Sequence, residues 1–142
     1  MVSFSDTEYR RTTLPNPVAT RVLLTLTVAF SVVVVAFGVI ALLAQSAMLP
    51  PGCAVTDGVR FFGALIAVRN IPLGLAAIYV IVRRERVDPV AVLGLSAVVQ
   101  FGDAVLGLVH GVLGMTISDL AGAILYALTA VVISNGRRGR AL

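Results

Sequence analysis

Residues 22–48 read VLLTLTVAFSVVVVAFGVIALLAQSAM, a run with no Asp, Glu, Lys or Arg. At ~1.5 Å per residue such a run is longer than the ~30 Å a helix needs to cross hydrocarbon. Its β-branched centre, Val32–Val35, would disfavour a helix in water. In lipid, however, a helix is the only single segment that satisfies its own backbone. Three further runs come after it, at about 59–82, 90–113 and 117–134. The fold class is therefore all-α, an integral membrane four-helix bundle. Short connections make consecutive helices antiparallel neighbours, which predicts up-down-up-down topology.

The arginines orient this bundle. All 11 basic residues are Arg, and nine of them flank the runs at one end: Arg10, Arg11, Arg21, Arg83, Arg84, Arg86, Arg137, Arg138 and Arg140. The positive-inside rule then places both termini in the cytoplasm of a bacterial-type inner membrane. On this reading residues 1–20 are a polar cytoplasmic tail, 21–136 the bundle, and 137–142 an Arg-rich cytoplasmic tail. The first run is too long for a signal-peptide core and is expected to remain as the first span. A net charge of +4 does not signal nucleic acid, because it is split among three short flanks suited to topology and anionic lipid headgroups.

Turn chemistry refines the boundaries. Thr56-Asp57-Gly58 is a start signal for the second helix, and Pro89 suits the first turn of the third. Gly114 is expected to end the third helix. Thr116-Ile117-Ser118-Asp119, with the spacing of a capping box, is expected to start the fourth. Gly63, Ala67, Asn70 and Gly74 share one face of the second helix. Ser96, Gln100, Asp103, Gly107, His110, Gly111 and Gly114 share one of the third. Small residues let helices approach closely in lipid, so these two faces are expected to meet. The first helix, with only Thr25, Thr27, Ser31 and Gln45 as polar residues, reads as a packing helix.

Two charges stand inside the apolar runs: Arg69 and Asp103, at matching depth. A lone charge in mid-membrane costs ~2.5–3.5 kcal/mol or more, so the two are expected to pair. The pair reads equally as an interhelical lock or as part of a site. At ~100° per residue Arg69 and Arg60 fall on opposite sides of the second helix, and Pro72 can alter that facing. Asn70 is then an alternative partner for Asp103. Asp57, Arg60, Asp103, His110 and Asp119 are expected to ring an outward-facing pocket, with Asn70, Gln100 and Tyr126 as its floor. Each has a plainer reading. His110 suits an interfacial hydrogen bond, Asp57 and Asp119 suit helix N-termini, and Arg60 suits a snorkelling anchor.

The segments Gly58-Val59-Arg60, Val68-Arg69-Asn70-Ile71-Pro72-Leu73-Gly74, Gln100-Phe101-Gly102-Asp103 and His110-Gly111 together resemble a family of small four-helix membrane proteins, domain of unknown function 4267. The resemblance covers about residues 55–115. It implies that Arg60, Arg69, Asn70, Asp103 and His110 are the family's polar positions, and it implies no activity. Pro72 departs from the family pattern.

These features predict a pocket for a lipophilic small molecule. In the enzyme reading, Asp103 and His110 are catalytic in an isomerase or cyclase, and Arg60, Arg69, Asn70, Gln100, Asp119 and Tyr126 bind substrate. A proton-coupled carrier and an accessory subunit are the alternatives. The latter two imply a homo-oligomer or a membrane-protein partner. No cofactor is expected. One His and one Cys offer neither a haem pair nor a metal cluster. The predicted orientation has a direct test. Cys53, the single cysteine, should react with a membrane-impermeant maleimide applied to right-side-out vesicles, and labelling only after permeabilisation would reverse the topology.

Overall fold

The computed structural model describes residues 16–83 and 88–138. Four helices order as α1 (Pro17–Leu43), α2 (Asp57–Arg83), α3 (Pro89–Val109) and α4 (Leu113–Arg138), with a short 3-10 helix, Gln45–Met48, after α1. All four are long and apolar enough to cross a membrane. Even the shortest, α3 with 21 residues, spans about 32 Å. The chain is an all-α, multi-pass membrane four-helix bundle. We call the end that holds Pro17, Arg83, Pro89 and Arg138 the terminal side, and the other the far side.

Two boundaries follow the local chemistry read from the sequence. Thr56 Oγ1 accepts from Val59 N–H and caps α2. Asp88 Oδ1 accepts from Val90 N–H ahead of Pro89 and caps α3. The start of α1 differs from expectation. Asn16 Oδ1 accepts from Val18 N–H, and Pro17 fills the first helical position. The helix thus opens within the stretch read as a polar tail and ends at Leu43 rather than Met48. Residues 1–15, 84–87 and 139–142 lie outside the described segments, and with them the tail residues Arg10, Arg11, Arg84, Arg86 and Arg140.

The α3–α4 turn also corrects the sequence reading. Gly111, with φ of 71°, ends α3 rather than Gly114. Gly111 N–H donates to Leu108 O, and Val112 N–H donates to Gly107 O. This is the Schellman pattern, in which a left-handed residue lets the chain close over its own last carbonyls. Only a glycine takes that φ without Cβ strain. α4 then begins at Leu113, and Thr116 Oγ1 bonds back to Val112 O inside its first turn. The Thr116–Asp119 motif therefore caps nothing, and Asp119 stands on the second turn, half-buried.

The bundle is built from two tight hairpins, α1–α2 and α3–α4. The two faces expected to meet divide: Asn70 of α2 lines one cavity with Ser96 and Gln100 of α3, whereas the glycines of these faces pack inside their own hairpins. A Cβ on Gly63 would strike the Ala41 carbonyl, and one on Gly74 would come within 2.9 Å of Ser31 O. A Cβ on Gly107 would meet Thr116 N at 2.9 Å. Those atoms are backbone and cannot move aside, so glycine is what brings the helices together.

The outer surface carries large apolar side chains, among them Val33, Phe62, Val68, Val98 and Ile117. The core is Ala77, Val80, Ile81, Leu93, Tyr126 and Ala130. Buried beside it are Thr27, Ser31, Ser96, Gln100, Asp103 and Thr129. This is the inversion expected where lipid, not water, is the solvent. Replacing Gly63 or Gly74 with Ala should destabilise the α1–α2 hairpin by about 1–3 kcal/mol, the usual cost of overpacking. Ala at Gly94 or Gly102, where a Cβ meets nothing within 4 Å, should be neutral. Thermal melting in detergent reads the difference.

Candidate functional site

Polar contacts cross the seam between the hairpins on both sides of the bundle axis. On the α1–α4 side, Thr27 Oγ1 and Thr129 Oγ1 lie 2.7 Å apart, and Ser31 Oγ lies 2.9 Å from Tyr126 Oη. Ser31 has one hydroxyl hydrogen and gives it to Thr27 O at 2.8 Å. Tyr126 must therefore be the donor to Ser31. Thr27 and Thr129 are also placed to donate to Leu23 O and Leu125 O, each at 2.8 Å. Two hydrogens cannot make three bonds, so one threonine gives up its carbonyl bond to donate across the seam. Phe30 closes this side, edge-on to Tyr126 at 5.7 Å, with its ring filling the space a Cβ on Gly122 would need.

On the α2–α3 side stands the ion pair. Arg69 is fourteen residues before Arg83, and Asp103 fourteen after Pro89. Both therefore lie about 21 Å from the terminal side, beyond mid-membrane. Arg69 Nη1 donates to Asp103 Oδ1 at 2.6 Å, and Arg69 Nε donates to Asn70 Oδ1 at 3.3 Å. Asn70 is thus a ligand of the guanidinium and not a substitute for it on Asp103. The side chain of Asp103 is 7% exposed and that of Arg69 is 38%. The contact is single-point. Arg69 Nη2 and Asp103 Oδ2 have no partner among the described residues. Asp119, from α4, lies within electrostatic reach of both Asp103 and Arg69. Asp119 makes no direct contact with Arg69; the direct ion pair is Arg69–Asp103.

The other expected members divide. Gln100 and Tyr126 are buried and, with Asn70, line a cavity on the bundle axis. Asp57, Arg60 and His110 stay exposed at the far side, and their side chains bond to no described residue. Of the ring of five ionisable groups only Asp103 and Asp119 turn inward, and Arg69, outside that ring, pairs with Asp103. His110 caps the C-terminus of α3, seven residues and about 10 Å beyond Asp103.

The axial cavity measures about 10 Å³ and is lined by Val34, Asn70, Leu73, Ser96, Val99, Gln100 and Tyr126. That is room for one water and not for an organic molecule. A wider, mostly apolar groove of about 420 Å³ opens at the far side between α1 and α2, lined in part by Met48, Phe62 and Ile66. No group of three or more His, Cys, Asp or Glu among the described residues is placed to hold a metal ion.

The sequence reading missed Thr27, Ser31 and Thr129 as seam residues. Their signal was the four-residue step from Thr27 to Ser31 and the three-residue step from Tyr126 to Thr129, each of which puts two hydroxyls on one helix face.

The ion pair generates a test. Arg69→Gln or Asp103→Asn alone should cost about 1–3 kcal/mol, between the limits for exposed and buried pairs. The double variant should cost less than the sum of the two, with the coupling read from detergent melting.

No protein-family model matches the chain, and no curated protein or solved structure matches it significantly.

Proposed function

We propose that this protein binds a lipophilic small molecule at the Arg69–Asp103–Asp119 cluster and isomerises or cyclises it by proton transfer through Asp103. The observation that carries this reading is the single-point ion pair. Arg–carboxylate pairs in structural roles are frequently bidentate, because an unmet polar group in lipid is costly. Here one guanidinium nitrogen and one carboxylate oxygen have no partner among the described residues, with Arg69 partly open at the bundle surface.

The chemistry that fits is an acid–base shift. Arg69 Nη2 donates a hydrogen bond to a substrate carbonyl and stabilises the oxyanion as charge develops. Asp103 Oδ2 takes a proton from a carbon activated by that carbonyl. It then returns the proton to a second carbon conjugated with the carbonyl, or the enolate carbon adds to an unsaturated carbon of the same molecule, whose π bond opens and whose far atom takes the proton back from Asp103. No electrons are gained or lost, and no cofactor is consumed. Asp119 adds a second acid within electrostatic reach of the pair. Gln100 and Tyr126 support the site from below. Arg60 and His110, at the rim, guide entry. In the same reading the chain is a member of the family it resembles, and its termini are cytoplasmic in the inner membrane.

One observation favours a second reading. The ion pair links two hairpins that otherwise meet along a narrow seam, which suits an architectural lock in an accessory subunit. The two readings part in one experiment. Wild-type protein is purified in mild detergent, and its co-purifying lipids are identified by mass spectrometry. The same is done for Asp119→Asn and for the Arg69→Gln/Asp103→Asn double variant. The proposal expects a discrete lipophilic species in the wild type, reduced at least tenfold in both variants while both stay folded. An identical lipid profile in all three overturns it and leaves the lock.

A further inference from the structure

The axial cavity lies about one helical turn deeper than the ion pair, and its lining has an unusual balance of donors and acceptors. Ser96 gives its only hydroxyl hydrogen to Val92 O at 3.0 Å. Tyr126 gives its own to Ser31, as the hydrogen count there requires. Both therefore turn only lone pairs toward the cavity. Asn70 Oδ1 is held by Arg69 Nε, which leaves the Asn70 NH2 free. Gln100 is 8% exposed, lines the cavity, and its amide bonds to no described residue.

An amide without a protein partner, on a residue only 8% exposed, is expensive in a membrane protein, and this residue lines a space of about 10 Å³. That volume is about one water probe, and a buried water needs two to four polar partners. The lining offers four, from three helices: Asn70 on α2, Ser96 and Gln100 on α3, Tyr126 on α4.

We infer that the bundle axis is a binding site for a single structural water. The water accepts from Gln100 Nε2 and Asn70 Nδ2, and it donates to Tyr126 Oη and Ser96 Oγ. All four of its hydrogen-bonding positions are used. It joins the α2 arm of the ion pair, through Asn70, to the hydroxyl ladder, through Tyr126. The water site shares Gln100, Tyr126 and Asn70 with the proposed site but needs neither Asp103 nor any substrate, so it stands or falls apart from the catalysis.

The test is water-edited solid-state NMR on the full-length protein in liposomes, with water protons as the polarisation source. The only other glutamine is Gln45, so a Gln45→Ala sample assigns the Gln100 amide. Early transfer from water to Gln100 Nε2, well ahead of transfer to the buried Ala77 methyl, is the expected result. Gln100 rising no sooner than Ala77 overturns the site. Gln100→Met, close in shape and without the amide, should slow transfer to the Tyr126 hydroxyl at least threefold. An unchanged Tyr126 rate in the folded variant also overturns it. Should that variant not fold, the wild-type Gln100 build-up decides by itself.

Discussion

Water drives soluble helices together; lipid does not. The bundle depends on that missing force, because leucine gains nothing by leaving lipid for a protein interior of equal apolarity. What holds the helices must come from close backbone approach and from polar groups that lipid will not solvate. The structure divides these two means. Glycines at positions 63, 74 and 107 join helices within each hairpin. Polar pairs, Thr27 with Thr129, Ser31 with Tyr126 and Arg69 with Asp103, join one hairpin to the other. The first kind of contact is short-ranged and shape-specific. The second is directional and keeps the hairpins from sliding.

This division explains what the sequence could reveal. The Arg69–Asp103 pair was legible because lipid makes a lone charge so costly that one acid and one base at equal depth leave little alternative. Helix number and class were legible for the same reason. The partner of each small face was not, because Gly63 and Gly74 announce a close approach without saying to what. Their partners are carbonyls of Ala41 and Ser31, and every residue has a carbonyl. The ends of α1 were read from hydropathy where capping chemistry decides them. Asn16-Pro17 is a start signal, but the apolar run begins five residues later and drew attention away. Gly111 and Gly114 are equal candidates by composition; only the backbone angle and the bond from Val112 to Gly107 separate them.

That three-residue difference matters for the site. With α4 starting at Leu113, Asp119 has turned inward on an established helix instead of spending its carboxylate on a cap. The second acid of the cluster is thus a consequence of where α3 ends. His110 is its counterpart. The residue that the sequence marks as the natural proton partner of Asp103 stands exposed at the helix terminus, about 10 Å beyond it, and the proposed chemistry falls to Asp103 with Asp119 behind it.

The hydroxyl ladder between α1 and α4 has a further property. Thr27 and Thr129 share too few hydrogens for their bonds, so two arrangements of the same heavy atoms compete, one with each threonine donating across the seam. The atoms stay in place while the direction of a dipole reverses. Near the centre of the membrane, where little else is free to reorient, such a pair is a small built-in source of polarisability. It answers changes of nearby charge by proton rotation alone, without moving a helix.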